Sequence, residues 1–209
     1  MEIIWRGNTC VEIKNKKNTV LINPYKETPD YKLDKLNTDI LVLTGNQPGA
    51  DNKDIVDVKS RIIDWPGEYE INGILLNAYQ LINGENKGFF LTLSDENLKI
   101  CYMEDIGDDL NDELIESIGD VDILIIPVGG KDKMNAKIAH KVMEEIEPRC
   151  VIPMMYQVDR KPADLETAEA FLKTAGAVQA EPVDKYEISG RSSLKDDKTE
   201  FVLLNPKTN

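Results

Sequence analysis

Ile40-Leu41-Val42-Leu43-Thr44-Gly45-Asn46-Gln47-Pro48-Gly49-Ala50 is the stretch whose reading decides the fold. Four consecutive apolar residues suit a strand buried on both faces, and the run stops abruptly at residues with turn chemistry. A central strand therefore ends here in a loop, and loops at strand ends are where α/β proteins place their functional groups.

Working outward toward the N-terminus, residues 2–5, 10–14 and 19–22 are short β-rich runs, the last two separated by the polar residues 15–18, and they read as an antiparallel meander. Toward the C-terminus, residues 61–63, 74–79, 89–93 and 98–102 give further strands, divided by turn signals at Pro66-Gly67, Asn83-Gly84 and Ser94-Asp95. The second half then changes character. Residues 112–118 predict a short helix and 121–126 a buried strand. Residues 136–146 predict a helix whose Ala139, Val142, Met143 and Ile146 form one apolar stripe, and 150–154 a second buried strand. A last helix is expected from Pro162, with the stripe Leu165, Ala168, Phe171, Leu172 and Ala175 and with Gly176 just past its end. Strands at 185–188 and 200–204 close the chain, with Lys195-Asp196-Asp197-Lys198 read as a hairpin turn. Strand-rich segments followed by strand-helix alternation predict an α/β protein: a four-layer αββα sandwich of two mixed β-sheets with outer helices, formed as one unit over residues 1–209.

Composition limits the function classes. The 209 residues are 41% hydrophobic, enough for a sizeable core. A formal net charge of −13, with 25 scattered Lys and Arg, would repel a phosphate backbone, so nucleic acid is not an expected partner. No window approaches the apolar stretch of about 20 residues that a membrane helix needs, and the opening residues lack signal-peptide character. Cys10, Cys101 and Cys150 are few, odd in number and far apart, which suits reduced, buried thiols. The expectation is a cytoplasmic protein away from membranes.

Five segments, in order and spacing, resemble the metallo-β-lactamase superfamily, in particular its lactonase-like and metal-dependent hydrolase branch. Trp5-Arg6-Gly7-Asn8-Thr9-Cys10 is similar to that branch's Trp/Leu-Gly-His-Ser-Cys opening, and Leu21-Ile22-Asn23-Pro24-Tyr25 to its Leu-Ile-Asp-Pro-Phe. The stretch from Asp64-Trp65-Pro66-Gly67 to Glu68-Tyr69-Glu70 resembles the Gly-Pro-Gly-Glu-Tyr-Glu turn. Residues 121–130, ending Val128-Gly129-Gly130, resemble the strand-and-glycine segment, and Val151-Ile152-Pro153-Met154 follows. The resemblance covers nearly the whole chain and implies the same sandwich fold.

Such enzymes hold one or two metals through a Thr-His-x-His-x-Asp-His motif after a central strand. By the resemblance, Gly45, Gln47 and Ala50 stand where three histidines belong and Gly49 where the aspartate belongs. Met155 replaces the histidine of Pro-Met-His-Tyr, Gln80 lies near another ligand position, and Asn23 replaces a supporting aspartate, consistent with a relaxed demand. Asp105 alone matches, at the bridging aspartate. His140 is the one histidine of the chain, so a multi-histidine site cannot be assembled within it. No catalytic residue, metal ligand or cofactor is assigned.

Several residues carry two readings. His140 falls opposite Val142 and Ile146, one turn before Glu144, and is expected at the surface. Asp51 caps a helix starting near Asn52 or joins Gln47, Gln80, Glu104 and Asp105 around a hard cation. Cys101 points away from Tyr102 and is expected in the core. Tyr102, Met155, Tyr156 and Trp65 fill the old cavity, or line an apolar pocket for a small molecule. The acidic residues of 104–113 are a solvated loop and helix start, or a negative surface for a partner. The first expectation is a pseudo-hydrolase with a binding, assembly or regulatory role toward a protein or small-molecule ligand, a homo-oligomer being a further option. The alternative is a metal-dependent hydrolase with an oxygen-ligand site centred on Asp105.

Overall fold

The computed structural model describes residues 1–45, 49–56, 60–83, 86–104, 110–131, 134–162, 164–177 and 181–207, with backbone only at 82–83 and 86–87. Strands β1 (Glu2–Gly7), β2 (Cys10–Lys14) and β3 (Thr19–Ile22) form the antiparallel meander. Beyond β3, strands β4 (Ile40–Val42) and β5 (Arg61–Ile63) add in parallel. The second sheet opens with the antiparallel strands β6 (Gly67–Ile71), β7 (Ile74–Asn83), β8 (Asn86–Ser94) and β9 (Lys99–Tyr102). It continues in parallel through β10 (Ile123–Pro127), β11 (Cys150–Met154) and β13 (Glu200–Phe201), while β12 (Tyr186–Glu187) joins β1 in the first sheet. The orders are β12-β1-β2-β3-β4-β5 and β13-β11-β10-β9-β8-β7-β6. Helices α1 (Asp112–Ile118) and α2 (Ala136–Ile146) connect the parallel strands β9, β10 and β11, and α3 (Ala168–Thr174) lies between β11 and β12 in the chain.

The two-residue period of the strands builds the layers. In β4, Ile40 and Val42 join the main core with Ile3, Trp5, Val11, Leu76, Leu91 and Ile100. Leu41, between them, points the other way into a second cluster with Cys10, Leu21, Tyr25, Tyr31, Leu43 and Ile55. That outer face is covered by residues 24–39 and a 3₁₀ turn at Lys53–Ile55, so the helices gather on the second half of the chain. The two mixed sheets stand as the sequence predicts.

Local departures have physical reasons. Among the described residues, no α-helix follows Asp51: Asn52 precedes the 3₁₀ turn without a side-chain cap, and its backbone and side-chain N–H groups donate instead to Pro24 and Tyr25 carbonyls. The last helix begins at Ala168, with Thr167 at its cap, because the preceding segment spends its backbone bonds in a loop: Gln157 N–H donates to Glu166 O and Glu166 N–H to Gly129 O. Residues 195–198 do not make a hairpin, since β12 and β13 lie in different sheets. Finally, Gly67 is the start of β6 rather than a bare turn. The signal was Asn72-Gly73, with φ of +52° and +81°, the conformation a two-residue hairpin of Asn-Gly type requires.

Candidate functional site

Strands β3, β4 and β9 bring their C-terminal ends together, and residues at those ends form a buried polar cluster. Asn23 after β3, Thr44 after β4 and Glu104 after β9 are each almost wholly buried, as is Tyr102 at the end of β9. The Asn23 side-chain amide donates to Thr44 Oγ1 at 2.8 Å, to Glu104 Oε1 at 2.5 Å and to the Tyr102 hydroxyl at 3.2 Å. Thr44 donates its backbone N–H to Asn23 Oδ1 at 2.9 Å and its hydroxyl to Glu104 Oε1 at 2.7 Å. Tyr102 donates its hydroxyl to the Thr9 carbonyl at 2.6 Å. Burial, and then the neighbouring Glu104, hold the Tyr102 phenol well above its ordinary range. These bonds join the two sheets, because Asn23 and Thr44 belong to the first and Tyr102 and Glu104 to the second. A polar group taken from water into such a place is tolerated only when it is bonded.

Above the cluster, Gly49, Ala50 and Met155 line one pocket of about 300 Å³ with Asn8, Thr9, Tyr25 and Lys26. Met155 sits there in a left-handed conformation, φ +53°. Its backbone is fixed by Gly129, whose N–H donates to Met155 O; a Cβ at Gly129 would lie 2.5 Å from that oxygen. The glycine read from the sequence is thus needed for close approach of two loops.

The other expected residues are placed as follows. Gly45 is exposed with φ +79°, and Asp51 is exposed. Gln80 is exposed on β7, paired with Phe89, and is absent from the pocket lining. Gln47 and Asp105, with the acidic Asp108 and Asp109, lie outside the described residues. Tyr156 is buried against Trp5, ring centroids 4.7 Å apart, and donates its hydroxyl to Leu204 O. Trp65 does not fill the cavity: it is 73% exposed at the crossing between the sheets, its carbonyl held by the Tyr69 hydroxyl. His140 faces Glu144 across 3.5 Å on α2. Cys10, Cys101 and Cys150 are buried and unpaired.

Sequence reasoning missed Thr44 and treated Asn23 as a residue released from duty. Each is a polar residue directly following an apolar strand, which was the available signal. The structure gives Asn23 a positive task, since its amide supplies one of the hydrogens that Glu104 Oε1 accepts, Thr44 the other.

Among the described residues, the donor set does not fit the metal centre that the resemblance implies. Gly45, Ala50 and Met155, at positions the resemblance gives to ligands, offer no side-chain nitrogen or carboxylate, and the Asn23 amide, the Thr44 and Tyr102 hydroxyls and Glu104 Oε1 bond to one another. Among the described residues, no three His, Cys, Asp or Glu side chains come together in a way that would hold a metal ion.

Comparison with known proteins agrees with this architecture. A UPF0173 metal-dependent hydrolase of Thermoplasma volcanium is 26% identical over 189 residues, covering 75% of this chain and 83% of its own. A UPF0173 protein of Pyrococcus abyssi is 23% identical over 177 residues, with the same shares. Among solved structures, a candidate Zn-dependent hydrolase of the metallo-β-lactamase superfamily from Thermotoga maritima superposes with a TM-score of 0.81 at 24% identity, over 97% of both chains. A metallo hydrolase of Ignicoccus hospitalis gives 0.68 at 13% identity, over 90% of this chain and 99% of its own. The profile of the beta-lactamase superfamily domain matches residues 2–155, most of the chain, including β1 to β11 and every strand end that builds the cluster. The chain belongs to the beta-lactamase superfamily.

Proposed function

We propose that this chain is a non-hydrolytic member of the superfamily, whose fold has been kept for binding rather than for metal-assisted hydrolysis. The observation that carries this reading is the buried cluster of Asn23, Thr44, Tyr102 and Glu104, in which one carboxyl oxygen accepts from an amide and a hydroxyl. Metal-assisted hydrolysis depends on a cation that lowers the pKa of bound water, and ligand positions held by Gly45, Ala50 and Met155 supply nothing to retain one. The pocket beside Met155 is the place for a small-molecule ligand. Buried, unpaired thiols support a reducing compartment, for this reading the cytoplasm.

A second reading has its own support. Relatives carry the name metal-dependent hydrolase, and Glu104, a buried carboxyl, directly precedes Asp105 in the sequence, the residue on which an oxygen-ligand site for a hard cation would be centred. Metal content of the purified, untagged protein separates the two. After dialysis, and after exposure to Zn²⁺, Mn²⁺, Mg²⁺ and Ca²⁺, the expected content is below about a tenth of an equivalent. Close to one equivalent, lost on Asp105→Ala substitution, would overturn the non-hydrolytic reading and direct assays to lactones and phosphoesters.

A further inference from the structure

Each sheet leaves two edges, and they are not alike. Strands β12 and β13 have two residues each and β5 has three, lengths too short to template another strand well. Strand β6 has five and closes the second sheet on one side. Its side chains alternate: Glu68 and Glu70 are exposed, while Tyr69 and Ile71 are half-buried and pack against the main core. Neither glutamate takes part in an ion pair among the described residues, whereas Asp64 nearby is paired with Lys53 at 3.4 Å. Leu75, 44% exposed, lies opposite Glu70 in the register, and Trp65 stands at the head of the strand with its ring in solvent.

We propose that β6 is the docking edge for an extended segment of a partner protein in which basic and apolar residues alternate. The backbone of such a segment would continue the sheet. Its apolar row would meet Tyr69 and Ile71, and its basic row would meet Glu68 and Glu70, which recur at about 7 Å along a strand. Trp65 offers an aromatic face to a further cation. Charge decides against a second copy of this chain as the occupant. Two β6 strands paired antiparallel about Tyr69 would set Glu68 against Glu70, and two molecules of formal charge −13 repel before they meet. The proposal concerns an edge outside the strand-end cluster and holds whether or not a metal binds there, so the two readings fail separately.

The test uses the full chain and the capped peptide Lys-Val-Lys-Val-Lys-Val-Lys. Trp65 is the reporter, because the other tryptophan, Trp5, is 1% exposed. Expected are a saturable shift in tryptophan emission, slowed hydrogen exchange of β6 amides, and weakening of about tenfold or more in the Glu68→Lys, Glu70→Lys double variant. A peptide of alternating Glu and Val, and one N-methylated along its pairing edge, should both fail to bind. Both substituted positions are exposed, so the variant is expected to keep its Tm; if it does not, Glu68→Gln with Glu70→Gln takes its place with the same expectation. Unchanged emission and exchange, equal binding by the variant, or equal binding by the N-methylated peptide would overturn the proposal. Concentration-dependent protection of β6 without peptide would overturn it in favour of self-association.

Discussion

At the residue scale, the Asn23–Glu104 contact is the point where this chain differs chemically from the pattern it resembles. Glu104 Oε1 accepts hydrogens from Asn23 at 2.5 Å and from Thr44 at 2.7 Å. An aspartate at position 23 would replace the donor with a second acceptor and bring two carboxyl groups together in a site closed to water. Asn23→Asp is therefore expected to destabilise the fold by about 2–4 kcal/mol, the scale of an unsatisfied buried polar group plus like-charge repulsion. Adding Glu104→Gln returns a donor to the pair, and the double variant should recover most of the loss. Urea denaturation of the wild type, both single variants and the double variant measures the coupling; additive losses would show that the two side chains do not depend on each other. The departure at position 23 was legible in the sequence, but its reason was not. The partner lies 81 residues away, and no local pattern announces a hydrogen bond across two sheets.

At the scale of elements, the sequence was most informative where periodicity and turn chemistry agree. Strands β2, β3, β5 and β11 and helices α1 and α2 match the expected bounds. The expectation failed where tertiary hydrogen bonds overrode a local stripe, as at Pro162 and Leu165, whose apolar spacing continues that of α3 although the backbone there is a loop tied to Gly129. It also failed at β6, an edge strand whose half-exposed alternation of Glu and Tyr carries little apolar signal. The hairpin joining β6 to β7 gives this element a clean test. Gly73 has φ +81°, and a Cβ there would meet nothing within 4 Å, so Gly73→Ala introduces backbone strain without a clash. The expected cost is about 1–2 kcal/mol, read as a lower urea midpoint with an unchanged m-value. Because β6 is the terminal strand, hydrogen exchange should quicken in β6 and β7 first; a uniform increase over both sheets would contradict that local origin.

For the whole molecule, the large core fixes how stability responds to alkali. Burial pushes the Cys101 and Cys150 thiols up to about 12 and raises Cys10 as well. It pushes Tyr31 up to about 12 and raises Tyr25, Tyr102 and Tyr156. In the unfolded chain the same groups lose their protons near about 8.5 for thiols and about 10 for phenols. Above those values the native state binds more protons than the unfolded state, so stability falls as pH rises, by about 1.4 kcal/mol per pH unit for each fully offset group. The decline should begin above about pH 8.5, when the thiols of the unfolded chain ionise, and steepen above about pH 10, when its phenols follow. Urea midpoints between pH 7 and 11 measure it, and the thiols should react with a disulfide reagent only as the chain unfolds. A midpoint that stays level to pH 11, or native thiols that react freely at pH 8, would mean that the strand-end cluster and the core beneath it admit water. The sheets would then be held at that end by something other than the hydrogen bonds of Asn23, Thr44 and Glu104.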